Sequence, residues 1–403
     1  MITRLSLLLV LSVSAMPLAA GLWDADRPGP GSLPSHYDAI AGRFDRFPDR
    51  FYERRYELAL KSIDALPDEN APVEDVVDSL PDFDDAAVAL FRLGRYADAI
   101  ILLDRKNKRV LDIRDERTAT SIEQGTHATA NKSVVLFHRW MAGPAAQTTD
   151  LEGAARLLRE LLKQNAYNSD AHWSLAEIDW LLSNPTWQPD ADPLFPNLLG
   201  LKDASFHGKL NQAALARNNV AGCIDFLSRR IVNEGGWEDV DVMYAYSLAL
   251  FLVGEPQESL FAWFRVCELI DAGKTTRVAN APAPKSLKRV LGVHLGDVNE
   301  QESARKLYAE MRARADAWVN SRNSYLDAAL KEGRHPDTDK TFWAGWNEDD
   351  ALPRAGEPDP EPDPAMNPAI LIGGIGGFAV VLILLIGSIM FLGRRSSAHD
   401  LDD

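Results

Sequence analysis

Apolar and small side chains recur at helical spacing through most of this chain, and the pattern is sharpest from Phe83 to Leu103. Ala86, Ala87 and Leu90 continue the face that Phe83 begins, Gly94 interrupts it, and Tyr96, Ala99 and Leu103 take it up again. The spacing predicts two helices joined at a glycine and pressed together through alanines. Such a pair cannot bury its apolar face alone and must stack on further pairs. The pattern does repeat. His207 leads to Leu210, Asn211, Ala214, Asn218 in the glycine place, Val220, Cys223 and Leu227. Met243 leads to Tyr246, Ser247, Leu250, Gly254, Ser259, Trp263 and Val266, with Pro256 where the first copy has an aromatic ring.

Fainter copies keep the phase. His127 leads to Ala130, Asn131, Val134 and His138, after which "AGPAAQTTD" delays the second helix until Ala154, Leu158 and Leu161. His172 stands 18 residues after Ala154 and 35 before His207, with Leu175 and Ala176 in the expected slots. A degenerate pair runs from Leu287 through His294 to Tyr308 and Met311. With its period of roughly 34 residues, the chain resembles the tetratricopeptide repeat family, and "FDDAAVALFRLGRYADAIILLD" carries nearly the whole signature. The resemblance implies an all-α fold, a right-handed superhelical solenoid of about six helix-turn-helix units between Leu80 and Trp318. The helix from Phe51 to Leu66 reads as an N-terminal cap and Glu302 to Leu330 as closing helices, each end with a polar outer face.

One segment departs from the pattern. Where the His172 unit should form its second helix, the chain reads "SNPTWQPDADPLFPNLLGLK". A proline in a helix interior costs about 3 kcal/mol, so residues 183–202 are expected to be irregular. Trp187 and Phe195 within it either plug the superhelix or meet a partner.

The two ends of the chain carry targeting signals. Arg4, the apolar run Leu5 to Met16 and the small residues Ala19, Ala20 and Gly21 read as a secretory signal peptide. Ala369 to Leu392 is a charge-free run of 24 residues, long enough as a helix to cross a hydrocarbon layer of about 30 Å. Arg394 and Arg395 follow it directly, which keeps the tail cytoplasmic and exports the repeats to the periplasmic or extracellular side. Before the span, Glu357, Asp359, Glu361 and Asp363 alternate with prolines, a stiff spacer of about 3.1 Å per residue. The expected organisation is a signal peptide over 1–20, an N-terminal extension over 21–50, the repeat domain over 51–332, a proline-rich acidic linker over 333–368, a single transmembrane helix over 369–392 and a tail over 393–403. Gly373 and Gly377 have the spacing that lets two membrane helices approach closely, so a homodimer through them stays open.

Composition narrows the chemistry. The 403 residues are 46% hydrophobic and 25% charged, ordinary for a globular protein, and a net charge of −16 argues against nucleic acid as a partner. The basic stretch Arg105 to Arg117 also holds Asp112, Asp115 and Glu116 and reads as a solvated helical face. Cys223 and Cys267 fall on second helices of successive units with a first helix between them, so free, buried thiols are expected rather than a disulfide. His127, His172 and His207 recur at equivalent places, but each repeat displaces the next by about 10 Å, so they cannot share one metal ion. They are read as stand-ins for larger rings on the first-helix face. No zinc-ligand spacing, nucleophile elbow or phosphate-cradling loop occurs in the sequence, and no cofactor or metal is expected.

These readings point to an exported, membrane-anchored adaptor, and the family resemblance implies that it binds a protein or peptide partner through its concave face. His127, Asn131, His172, Ala176, His207, Asn211 and Met243 are the expected groove residues. Each has an ordinary alternative as helix-packing filler. The other functional classes are a structural envelope component assembling through its membrane helix, and a wall-associated hydrolase using acidic residues near 183–202 or Trp343 and Trp346.

Overall fold

The computed structural model of the chain describes residues 22–24, 33–65, 72–113, 115, 117–143, 148–189, 194–201, 220–295 and 302–348. The expected signal peptide, membrane span, tail, Gly373, Gly377, His207 and Asn211 lie outside the described residues. Those residues form an all-α unit of twelve α-helices with no strand among them. In chain order these are α1 (His36–Ala41), α2 (Asp49–Asp64), α3 (Val73–Arg92), α4 (Tyr96–Asp112), α5 (Thr118–Ala142), α6 (Thr149–Gln164), α7 (Ser169–Leu182), α8 (Val220–Asn233), α9 (Val240–Val253), α10 (Pro256–Asp271), α11 (Pro284–Leu291) and α12 (Glu302–Lys331). Among the described residues no helix is long and apolar enough to cross a membrane.

The turns fall where the pattern put them. Gly94 joins α3 to α4 and Gly254 joins α9 to α10, at φ +71° and +90°, a left-handed conformation that costs glycine no Cβ clash. Ala86, Ala87 and Ala99 are fully buried where α3 meets α4. From α2 to α7 each helix packs on the next, and α3 also touches α5, so first helices of successive pairs meet. Asp239 caps α9, accepting from the N–H groups of Asp241 and Val242 at 2.9 and 3.3 Å. α9 is apolar on every side and forms the centre of the largest core cluster. Residues 183–189 and 194–201 are non-helical, with a lone bridge from Thr186 to Ala279. Phe195 is fully buried there, its ring 5.2 Å from Trp187 and 6.2 Å from Tyr244.

The two ends of the helical series differ from the sequence reading. Glu302–Lys331 is one 30-residue helix, not several. Its C-terminal half packs on α2, the expected cap: Leu326, Ala329 and Leu330 share a core cluster with Phe51, Tyr52 and Ala89. Residues 333–348, read as the start of the linker, extend that contact. His335 is buried with its ring stacked on Phe51 at 4.8 Å, Phe342 is buried beside them, and Arg55 holds Asp337 through two hydrogen bonds of 2.8 and 2.7 Å. The apolar faces of both ends are therefore covered by each other. Aromatic residues at 335, 342 and 343 carry this contact, and no local periodicity reveals it.

Both cysteines are free and buried, and burial pushes both thiols up, Cys267 to about 12. Neither is expected to react with Ellman's reagent within an hour at pH 8 until denaturant is added, because the thiolate is the reacting species. Stoichiometric labelling of the native protein would contradict this packing.

Candidate functional site: a buried polar cluster on three adjacent helices

Three helices bring together a buried polar group that separates into chemically distinct parts. α3 supplies Asp84, α4 supplies Lys106 and α5 supplies His127 and Asn131. Asn131 is fully buried, and its side-chain amide is entirely engaged. Its Oδ1 accepts from the backbone N–H of Trp23 at 2.7 Å, while Nδ2 donates to the backbone carbonyl of Trp23 at 3.0 Å and to Asp84 Oδ1 at 2.9 Å. The indole of Trp23 stacks on the His127 imidazole, ring centres 3.7 Å apart and planes within 15°. The next residue, Asp24, places Oδ2 3.5 Å from Arg55 Nη1 on α2. Leu22, on the other side, joins the apolar cluster that holds Ala59, Ile63 and Phe83.

The electrostatics explain why the amide points one way. Asp84 ion-pairs with Lys106, which also donates to Gln124 Oε1 at 2.8 Å. Burial pushes the Asp84 carboxyl up to about 6 despite the opposing pull of Lys106 and Asn131, and burial lowers Lys106. At neutral pH the carboxylate only accepts, so Asn131 must turn its NH₂ toward Asp84 and toward the Trp23 carbonyl, leaving Oδ1 for the Trp23 N–H. The ion pair thus orients the Asn131 amide that clamps the Trp23 backbone.

The expected groove residues divide sharply. His127 and Asn131 meet at this site. His172 and Ala176 are exposed on α7, where His172 Nε2–H donates to the carbonyl of Ala166 at 2.9 Å, a tie to the preceding turn. Met243 is fully buried in the core, with no free surface for a partner. Sequence reasoning missed Asp84, Lys106, Arg55 and Trp23. Lys106 carried a readable signal: it occupies the buried stripe Ala99, Leu102, Leu103, Val110 of α4, where an apolar residue would be ordinary. The stretch Arg105 to Arg117 reads in the sequence as a solvated helical face, yet Lys106 within it is 0% exposed.

A second buried polar cluster lies where α5, α7 and α8 meet. Arg230 pairs with Glu177 at 3.0 Å and with Glu234, and its Nη1 lies 3.5 Å from His138 Nε2. Burial and the neighbouring arginines hold His138 well below its usual value and so neutral. A cavity of about 20 Å³ beside Ser133, Glu177 and Arg230 has room for one water. Two carboxylates, Glu177 and Glu234, pair with the Arg230 guanidinium, which fits a structural role. Among the described residues no three His, Cys, Asp or Glu side chains are grouped to hold a metal ion. No protein-family model, curated protein or solved structure matches this chain.

Proposed function

We propose that this chain is an exported adaptor of the tetratricopeptide kind, anchored by the apolar segment 369–392, whose solenoid of helix pairs holds an extended segment of a partner protein against its first helices. The observation that carries the reading is the hold of Asn131 on Trp23, one side-chain amide bonded to both the N–H and the C=O of a single residue. A grip on main-chain groups is indifferent to the side chain between them, so the same atoms suit any extended peptide in that register. The packing of helices in sequence order supports the repeat architecture. The signal-like N-terminus, the charge-free span and Arg394 with Arg395 support export of the repeats with the tail in the cytoplasm. The reading assigns the chain no chemical step, cofactor or metal.

The test is crosslinking in intact cells with a photo-reactive side chain at Gln124, beside Lys106, and the same probe at Tyr167, which is 95% exposed. A specific exported protein is expected from position 124 and absent from position 167. Identical capture from both positions would remove the clamp as the binding surface.

A further inference from the structure

The clamp is occupied, and its occupant is the chain's own N-terminal extension. Trp23 lies 108 residues from Asn131 in sequence, yet its backbone is held by a side chain that is fully buried. Around that backbone grip sit three side-chain subsites. The cluster of Ala59, Ile63 and Phe83 takes Leu22, the His127 ring takes the indole, and Arg55 faces the Asp24 carboxylate. Each subsite matches one chemistry: apolar, flat aromatic and anionic. Arg55 is 1% exposed and already carries Asp337, so it is a fixed cation rather than a flexible surface arginine.

The geometry points to a site that reads an apolar–aromatic–acidic tripeptide, with Leu22–Trp23–Asp24 as a resident occupant that a partner bearing the same sequence chemistry must displace. This inference rests on the peptide-holding reading above and adds the ligand's identity and its competitor. The extension has a separate latch farther along: α1 packs on α8, α10 and α12, and the Ile40 carbonyl accepts from Trp237 Nε1 at 3.1 Å. Emptying the clamp therefore leaves the rest of the extension attached. Occupation from within the same chain raises the effective concentration of the resident segment, so a free peptide competes poorly until that segment is removed.

The experiment uses the full-length mature protein in detergent and a fluorescein-labelled peptide of residues 21–27, Gly-Leu-Trp-Asp-Ala-Asp-Arg. A Leu22→Gly/Trp23→Pro variant, which lacks both side chains and the N–H that Asn131 accepts from, is expected to bind it saturably, at least ten-fold more tightly than wild type does. Trp→Ala or Asp→Lys in the peptide, or Asn131→Ala added to the emptied protein, should each weaken binding at least ten-fold. Absent binding to a folded emptied variant, or equal binding of the Trp→Ala peptide, overturns the proposal. So does an exchange of the segment between two copies, seen by light scattering as a wild-type dimer that the emptied variant does not form. Wild-type protein supplies an independent reading by hydrogen exchange: the Trp23 amide should be protected, and excess unlabelled peptide should expose it. Protection that persists at saturating peptide overturns the proposal without recourse to any variant. Continued partner capture at Gln124 after either failure would sink the tripeptide assignment and leave the adaptor reading intact.

Discussion

Trp237→Ala is expected to lower the stability of the helical domain by about 3–5 kcal/mol, the range for removing a large buried aromatic. Trp237 is 5% exposed in a short 3₁₀ turn between α8 and α9. Three guanidinium groups face its ring, Arg265 at 3.4 Å, Arg46 at 4.4 Å and Arg312 at 4.7 Å from the centroid. Its carbonyl accepts from Arg265 Nε and Nη2, both at 3.2 Å, and its indole N–H reaches the Ile40 carbonyl. Gly42 ends α1 at φ +81° directly against the indole, and a Cβ there would lie 2.5 Å from Trp237 Cζ2. Truncation would leave a cavity, three arginines without their shared ring, and α1 without its latch. A fall of roughly 10 °C in thermal midpoint follows for a domain of this size. Tyr167→Ala, at a 95% exposed position, should change stability by no more than about 0.5 kcal/mol. A Trp237→Ala effect below about 1 kcal/mol would show that this junction does not hold the N-terminal extension in place.

Lys106→Met should be comparably damaging, at about 3–5 kcal/mol, because it leaves the Asp84 carboxylate buried without its cation. The two groups are both below 10% exposed, so solvent screens neither. The damage should be largely reversed in the double variant Asp84→Leu/Lys106→Met, since apolar side chains of similar volume often replace a buried ion pair at little cost. Equal stability of the single and double variants would mean that the pair is screened by water. The pair also has a pH signature. Asp84 titrates near 6 in the folded protein and near 3.9 when unfolded, so between those values the folded state keeps a proton that the unfolded state has released. Its contribution therefore favours folding below about pH 4 and is lost as pH rises through 6. Asp84→Asn should abolish this part of the pH dependence, visible as a difference in thermal midpoint between wild type and variant that changes across pH 4 to 6. A difference that stays constant over that interval would refute the burial assigned to Asp84.

Clamp chemistry was only half legible. Asn131 and His127 stood out because they interrupt an apolar helical face at positions where the first helices of adjacent pairs meet. Their partners did not stand out, because nothing local to Trp23 shows that its backbone completes an amide 108 residues away. Asp84 looked like one of two adjacent acids in "FDDAA", and its role depends on Asn131, 47 residues on. His172 occupied the same repeat slot as His127, yet it is exposed, whereas Trp23 stacks on His127: equivalent position in a repeat does not bring equivalent surroundings.

Helices, their glycine turns and the irregular proline-rich segment were determined by the sequence alone, because each depends on side-chain spacing and backbone preference within a few residues. Only the tertiary structure decided that α12 and residues 333–348 cover the α2 end, through contacts such as Arg55 with Asp337, 282 residues apart. It alone decided that Lys106 lies buried and that Leu22–Trp23–Asp24 fills the clamp. The physical reason is the same in each case. Burial of a charge or capture of a backbone segment is settled by which distant group arrives to satisfy it, and that arrival has no period for a sequence to record.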